Sequence, residues 1–286
     1  MLVFDKIIDI KRYLSDFRAD NKLIGFIPTM GALHKGHLSL VENAKLENNI
    51  VVCSIFINPT QFNDKQDLEK YPRTLDEDKK MLIDSPCDVL FVPSVDEMYP
   101  IEDNKVEAAN NINLGTLDKL MEGKHRPGHF EGVIQIVRKL FEIINPNTAY
   151  FGQKDFQQLA IIKNMVKQLN LPVKVIGCPI IRESDSLAMS SRNIFLSKEE
   201  RENAPLIYKT LVKVKQLSGK LSVHEIKDFV KKEIGKNKFM QLEYFEIINS
   251  HSLIPIDDIS TSEEKTACIA VKIGSVRLID NIILFP

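Results

Sequence analysis

Short apolar runs rich in Val, Ile and Phe recur through the first two-thirds of the chain, each followed by a longer stretch with apolar residues three and four apart. The runs cover residues 23–27, 50–57, 89–92, 148–151 and 173–176, and the amphipathic stretches between them cover 38–46, 74–83, 130–144 and 156–169. Parallel neighbours need a crossover, and a helix is the usual one, so strand, helix, strand repeated in this way predicts an α/β fold built on a doubly wound parallel sheet. After residue 180 the order changes. Helical stretches at 197–217 and 223–234 precede strand-like runs at 242–248, 267–273 and 276–284, the last two separated by Gly274-Ser275, a two-residue hairpin signal. The expected organisation is therefore a larger domain over residues 1–180 and a smaller α+β domain over 181–286.

Composition narrows the partners. Across 286 residues, 38 Lys and Arg balance 39 Asp and Glu, a net charge of -1, so no basic field recruits nucleic acid or an anionic membrane. A small diffusible substrate is the expectation. The N-terminal MLVFDKIIDIKRYL carries charges every few residues, and no apolar run anywhere approaches the ~18 residues of a membrane span. A cytoplasmic location follows as an expectation. Cys53, Cys87, Cys178 and Cys268 lie far apart in apolar surroundings, which predicts buried free thiols rather than a metal site or a disulfide framework.

Ligands of an open parallel sheet bind beyond the carboxyl ends of its strands, so the residues after each apolar run carry the functional information. The first run ends in Met30-Gly31-Ala32-Leu33-His34-Lys35-Gly36-His37 and leads into a helix. Its glycines let backbone approach a ligand, and a helix N-terminus offers N–H groups to an anion. Gly31 and Gly36 have the phosphate-loop spacing, but His37-Leu38 stand where that loop requires Lys and Ser or Thr. Two imidazoles at such a turn can instead donate to a phosphate gaining charge during displacement at phosphorus. The alternative for His34 and His37 is a pair of incidental loop histidines, and the same holds for the second cluster, His125-Arg126-Pro127-Gly128-His129.

The second run ends in Asn58-Pro59-Thr60-Gln61-Phe62, where a side-chain amide can bind hydroxyl or carboxylate oxygens, or where Asn58-Pro59 simply marks a turn. After the fourth run come Gly152, Gln153, Lys154 and Asp155: backbone access, a point charge for phosphate, and a carboxylate for ribose hydroxyls or for capping the next helix. Gln158 falls one turn further along that helix, on the same side as Asp155. In the C-terminal part, Met189-Ser190-Ser191-Arg192 offers hydroxyls and a guanidinium to terminal phosphates, in a segment that could act as a lid or serve as a polar linker. The mixed-charge run at residues 76–80 reads as a solvated helix face.

Taken together, the segments PTMGALHKGH, NPTQF, YPRTLDED, RPGHFEGV, FGQKDFQQ and AMSSRN resemble those of the pantothenate synthetase family, in its order and spacing, over essentially the whole chain. That family sits in the His-x-Gly-His nucleotidylyltransferase superfamily. The resemblance implies a Rossmann-like N-terminal domain, a smaller C-terminal lid domain and a homodimer. It implies ATP- and Mg²⁺-dependent condensation of (R)-pantoate with β-alanine to pantothenate, AMP and diphosphate through a pantoyl adenylate, on the route to coenzyme A. Residues 30–37 would line the ATP site, with His34 and His37 at the α-phosphate and His37 as proton donor. Gln61 and Gln158 would hold pantoate, Gln61 also β-alanine; residues 152–155 would bind nucleotide, with Lys154 at phosphate. Backbone at Ile181 would meet adenine and residues 189–192 the phosphates. Asp78 is a further candidate for holding magnesium through water, the metal otherwise riding on the phosphates.

Two departures stand out. Asp185-Ser186 replaces a frequent Asp-Gly, which removes backbone freedom from the lid, and Gln153 replaces a frequent Glu. Two other readings compete: an adenylyltransferase that transfers AMP to a phosphorylated acceptor and stops, and a non-catalytic RNA- or nucleotide-binding descendant of a synthetase.

Overall fold

Alternate residues of the apolar runs face opposite layers of the sheet, which is why those runs are apolar throughout rather than in alternation. The computed structural model describes residues 1–100, 112–261 and 263–284. The chain divides into two compact units, Met1–Gln153 with Gln158–Pro179, and Lys154–Gln157 with Ile180–Pro286.

In the first unit the elements are β1 (Leu2–Phe4), α1 (Ile7–Ala19), β2 (Ile24–Thr29), α2 (Lys35–Glu47), β3 (Ile50–Ile55), α3 (Lys65–Lys70), α4 (Leu75–Ile83) and β4 (Val89–Phe91). Beyond these come α5 (Val95–Met98), α6 (Met121–His125), α7 (His129–Ile144), β5 (Thr148–Gly152), α8 (Phe156–Gln168) and β6 (Lys174–Cys178). The strands form one six-stranded sheet in the order β1-β4-β3-β2-β5-β6, parallel throughout. Phe26 and Val52 pack on one face against Ile10 and Leu14 of α1 and Ile134, Val137 and Phe141 of α7. Their chain neighbours Ile27 and Cys53 pack on the other against Leu40, Val41 and Ala44 of α2 and Leu82 of α4. This is the expected α/β architecture, to which the structure adds β1, α1 and the short helices α3, α5 and α6. Leu2–Phe4 is not legible as a strand, because three residues at a sheet edge carry no periodicity.

The chain leaves β2 for β3 and β4 on one side and returns to β5 on the other, so the order reverses between β2 and β5. Pairing of β2 with β5 stops at Phe26↔Ala149, whereas pairing with β3 continues to Thr29↔Ile55. Pro28, which cannot donate to a ladder, lies beyond the last β5 pair. The carboxyl ends of β2 and β5 thus part where the strand order reverses.

In the second unit α9 (Lys198–Asn203), α10 (Leu206–Leu217) and α11 (Val223–Gly235) cover an antiparallel sheet of β7 (Met240–Asn249), β8 (Lys265–Ile273) and β9 (Val276–Ile283). Leu211, Val214, Ile226 and Val230 pack on Ile247, Ile269, Val271 and Leu278. The Gly274-Ser275 turn closes β8 on β9 through Ile273↔Val276. The single helix expected over residues 197–217 is two, because Pro205 lacks the N–H that would continue the ladder. All four cysteines are buried thiols outside any disulfide. Among the described residues no helix is long and apolar enough to cross a membrane.

Candidate active site

The turn after β2 is held in a backbone shape that apolar packing alone would not select. Gly31 and Ala32 adopt φ of 79° and 48°, the left-handed region in which a non-glycine residue is strained. Asp78, one turn into α4, holds the turn there. Its Oδ2 accepts the Ala32 N–H at 2.9 Å and its Oδ1 accepts the Leu33 N–H at 2.7 Å and the Thr74 hydroxyl at 3.2 Å. A side chain on Gly31 would start 3.0 Å from that carboxylate. Asp78 is 2% exposed, so the expectation of a solvated face is wrong at this position: one acid of the charged run turns inward to bind a loop. Burial raises its pKa above the ordinary carboxylate value, while the two amides and the Thr74 hydroxyl pull the other way.

His34 and His37 lie not in a loop before the helix, as expected, but in its first turn: α2 begins at Lys35 and His34 is its N-cap. The Gly36 N–H donates to His34 Nδ1 at 3.1 Å, and the His34 N–H donates to His37 Nδ1 at 3.3 Å. This is a capping box made of imidazoles instead of Ser and Glu. With Nδ1 accepting, the proton of each neutral ring resides on Nε2. The ring centroids are 4.1 Å apart, a separation that disfavours two imidazoliums side by side. The pair therefore stands at the positive end of a helix with each Nδ1 engaged by a backbone N–H and Nε2 left as the donor.

Gln61 belongs to a short 3-10 turn, Pro59–Gln61, after β3, and its amide N–H donates to the Met30 sulfur at 2.8 Å. This contact joins the second polar segment to the first. The turn is locked onto the N-terminus of α7. His129 Nδ1 donates to the Gln61 carbonyl at 2.8 Å while its Nε2 accepts from Arg126 at 3.0 Å. Asn58, fully buried, donates to the Gly132 carbonyl at 3.0 Å and accepts the Tyr99 hydroxyl at 3.0 Å. At Gly132 a Cβ would lie 2.4 Å from the Thr60 carbonyl oxygen, so only glycine lets the backbones meet. Asn58 is thus a structural bracket and not a ligand amide. His129, seen in the sequence only as one of a loop pair, is the residue that aims the Gln61 turn.

Gly152 ends β5, and the Gln153 N–H donates to the Cys178 carbonyl at 2.8 Å. Gln158 is half-buried in the first turn of α8, and among the described residues no hydrogen bond joins it to Gln61. In the second unit, Lys154 stands 4.0 Å from the Asp155 carboxylate. Residues 181–189 form a tight hairpin: the Met189 N–H donates to the Ile181 carbonyl at 3.0 Å and the Glu183 N–H to the Leu187 carbonyl at 2.8 Å. Ser190 caps the 3-10 turn Ser191–Phe195, donor to its side chain being the Arg192 N–H. At the hairpin's tip Ser186 has φ of 77°, so the residue that replaced glycine occupies a glycine conformation. Ser186→Gly is expected to raise stability in urea unfolding by about 0.5–1 kcal/mol, the left-handed penalty less the extra entropy of an unfolded glycine.

The family model for pantoate–β-alanine ligase matches residues 2–283. The chain belongs to the pantoate–β-alanine ligase family. It is 50% identical over 282 residues to a pantothenate synthetase of Bacteroides fragilis, covering 99% of this chain and 98% of that one. With a pantothenate synthetase of Porphyromonas gingivalis it shares 47% over 282 residues, 99% of each chain. The crystal structure of the Thermus thermophilus pantothenate synthetase superposes with a TM-score of 0.92 at 38% identity, covering 100% of both chains. A pantoate–β-alanine ligase of Francisella tularensis, crystallised with βγ-ATP and β-alanine, superposes with a TM-score of 0.79 at 35% identity, covering 99% and 98%.

As a pantoate–β-alanine ligase, the chain is an ATP-using enzyme of pantothenate biosynthesis. Among the described residues no cluster of three His, Cys, Asp or Glu could hold a metal, and both oxygens of Asp78 are engaged by the loop.

Proposed function

We propose that this ligase works in two half-reactions at the carboxyl ends of β2, β3 and β5. A pantoate carboxylate oxygen attacks the α-phosphorus of ATP, and the bond to the β-phosphate breaks with its electron pair leaving on diphosphate. The β-alanine nitrogen then attacks the acyl carbon of the adenylate, AMP leaves, and the amine loses a proton. Activation is required because a carboxylate is a poor acyl donor at neutral pH.

The observation that carries this reading is the imidazole capping box. With each Nδ1 held by a backbone N–H, the Nε2–H groups are the ones we assign to the α-phosphate, where charge develops during displacement. In this reading residues 30–37 bind ATP, and His37, as proton donor, and His34 hydrogen-bond the α-phosphate oxygens as charge develops there. Gln61 holds pantoate with Gln158 and also meets β-alanine. Residues 152–155 bind nucleotide, with Lys154 at phosphate; Ile181 backbone takes adenine, and residues 189–192 take the phosphates as part of a C-terminal domain, 181–286, acting as a lid. Magnesium enters with ATP on the phosphates, as Mg²⁺ commonly does, rather than through Asp78. The working form is a cytoplasmic homodimer.

The test is diphosphate–ATP exchange with purified protein and Mg²⁺, supplying pantoate and β-alanine separately and together. Exchange that requires pantoate but not β-alanine, followed by AMP and pantothenate on adding the amine, is expected. Exchange with some other carboxylic acid only would overturn the substrate assignment, and none with any acid would overturn the adenylate.

A further inference from the structure

Along β9, Val276 and Leu278 point into the apolar core of the second unit, and Asp280 occupies the next position on the same face. A carboxylate there is out of place energetically: its side chain is 3% exposed, and well-packed apolar residues are often as stable as a buried ion pair or more so. Its partner explains the choice. The Arg182 guanidinium donates to both Asp280 oxygens, at 2.7 and 2.9 Å, and also to the Ser186 carbonyl at 3.2 Å. Its carbon lies 3.5 Å from the centre of the Tyr208 ring, which fixes the plane of the fork. Arg182 is therefore held on three sides. It also pairs with Ala188 across the hairpin, whose next pair is Ile181 with Met189. The neighbouring Asn281, also buried, takes its N–H to Asp280 Oδ1 at 2.8 Å and donates through its amide to the Lys154 carbonyl at 3.0 Å.

We propose that Asp280 and Asn281 are positioning residues for the nucleotide. Asn281 holds the Lys154 backbone, Asp280 acts through Arg182 on the hairpin of residues 181–189, and two adjacent residues of β9 set both segments on one rigid strand. Neither touches substrate. The inference rests on the reading that Lys154 and the hairpin bind ATP.

Diphosphate–ATP exchange by the full chain, with ATP and pantoate varied separately, tests it. Asn281→Ala removes the donor to Lys154 and is expected to raise the half-saturating ATP concentration about five- to tenfold, the loss of one hydrogen bond. The half-saturating pantoate concentration is expected to stay within about twofold, a change of under ~0.5 kcal/mol. Asp280→Asn, which keeps the shape but not the charge, is expected to act in the same direction. Equal shifts for both substrates, or a lowered melting temperature with unchanged ATP dependence, would overturn the proposal. So would loss of cooperative unfolding in both variants, since the contacts would then serve only to hold the unit together. Lys154→Met separates the two levels. If it leaves the ATP dependence unchanged, the nucleotide reading of the loop fails; if it impairs ATP use while Asn281→Ala does not, only the positioning role fails.

Discussion

Replacing His37 with alanine is expected to slow pantoate-dependent exchange by about 10²–10³, the effect of removing one donor aimed at developing charge. The fold should survive, because His37 is only half-buried. The capping geometry makes a sharper experiment possible. His37 Nδ1 accepts the His34 N–H, the task a glutamate performs at this position of an ordinary capping box. His37→Glu therefore restores the cap and adds a negative charge at a helix N-terminus, where it stabilises by about 0.3–1 kcal/mol. Alanine lacks that acceptor and is expected to lower stability by about 1 kcal/mol, the value of a cap. Activity runs the other way: glutamate repels the phosphates and should be worse than alanine. Chemical denaturation and exchange measured on both variants would give opposite rank orders. If the two assays rank the variants alike, His37 is a structural cap and nothing more.

The same geometry shows what can be read in the sequence and what cannot. Alternation of apolar runs with amphipathic stretches is enough for the parallel sheet, because both periodicities follow from local geometry. Polar residues after the runs of β2, β3 and β5 are legible as candidates because parallel sheets bind ligands at carboxyl ends. The supporting layer is not legible. Asp78 sits in a run of mixed charges, and only the tertiary approach of α4 to the β2 turn distinguishes it from its neighbours. His129 reads as half of a loop pair until the fold carries it to the Gln61 carbonyl, 68 residues away in sequence. Asn281 and Lys154 are 127 residues apart, joined by a side-chain to backbone bond that leaves no periodic trace. The start of α2 escapes the sequence for a different reason: imidazoles are not the usual capping side chains, so the helix reads as beginning after them.

Asp78→Ala is expected to cost as much activity as the loss of His37, although Asp78 binds the loop rather than substrate. Without the carboxylate, the Ala32 and Leu33 N–H groups lose their acceptor, and the left-handed turn at Gly31 and Ala32 is free to relax. A displacement of about 1 Å at the histidines is enough to reduce rate ~100-fold. Stability should fall by about 1–3 kcal/mol for each amide left buried and unpaired, offset in part by no longer burying a charge. Asp78→Asn keeps one acceptor oxygen but points an NH₂ at the other amide, so it should lie between alanine and the native residue. The pH dependence separates clamp from fold. Burial sets Asp78 above its ordinary value of 3.8, so between that value and its folded pKa the folded chain binds the proton more tightly than the unfolded one. This group's contribution to stability therefore rises as pH falls through that window. Activity should fall in the same window, because a protonated Asp78 presents an O–H where an amide must donate. Exchange and urea unfolding followed together through the acid range should thus part in the native chain. In Asp78→Asn the acid loss of exchange due to this residue should vanish. An acid limb unchanged by that substitution would mean that another group titrates, and the clamp would not be what couples the turn to catalysis.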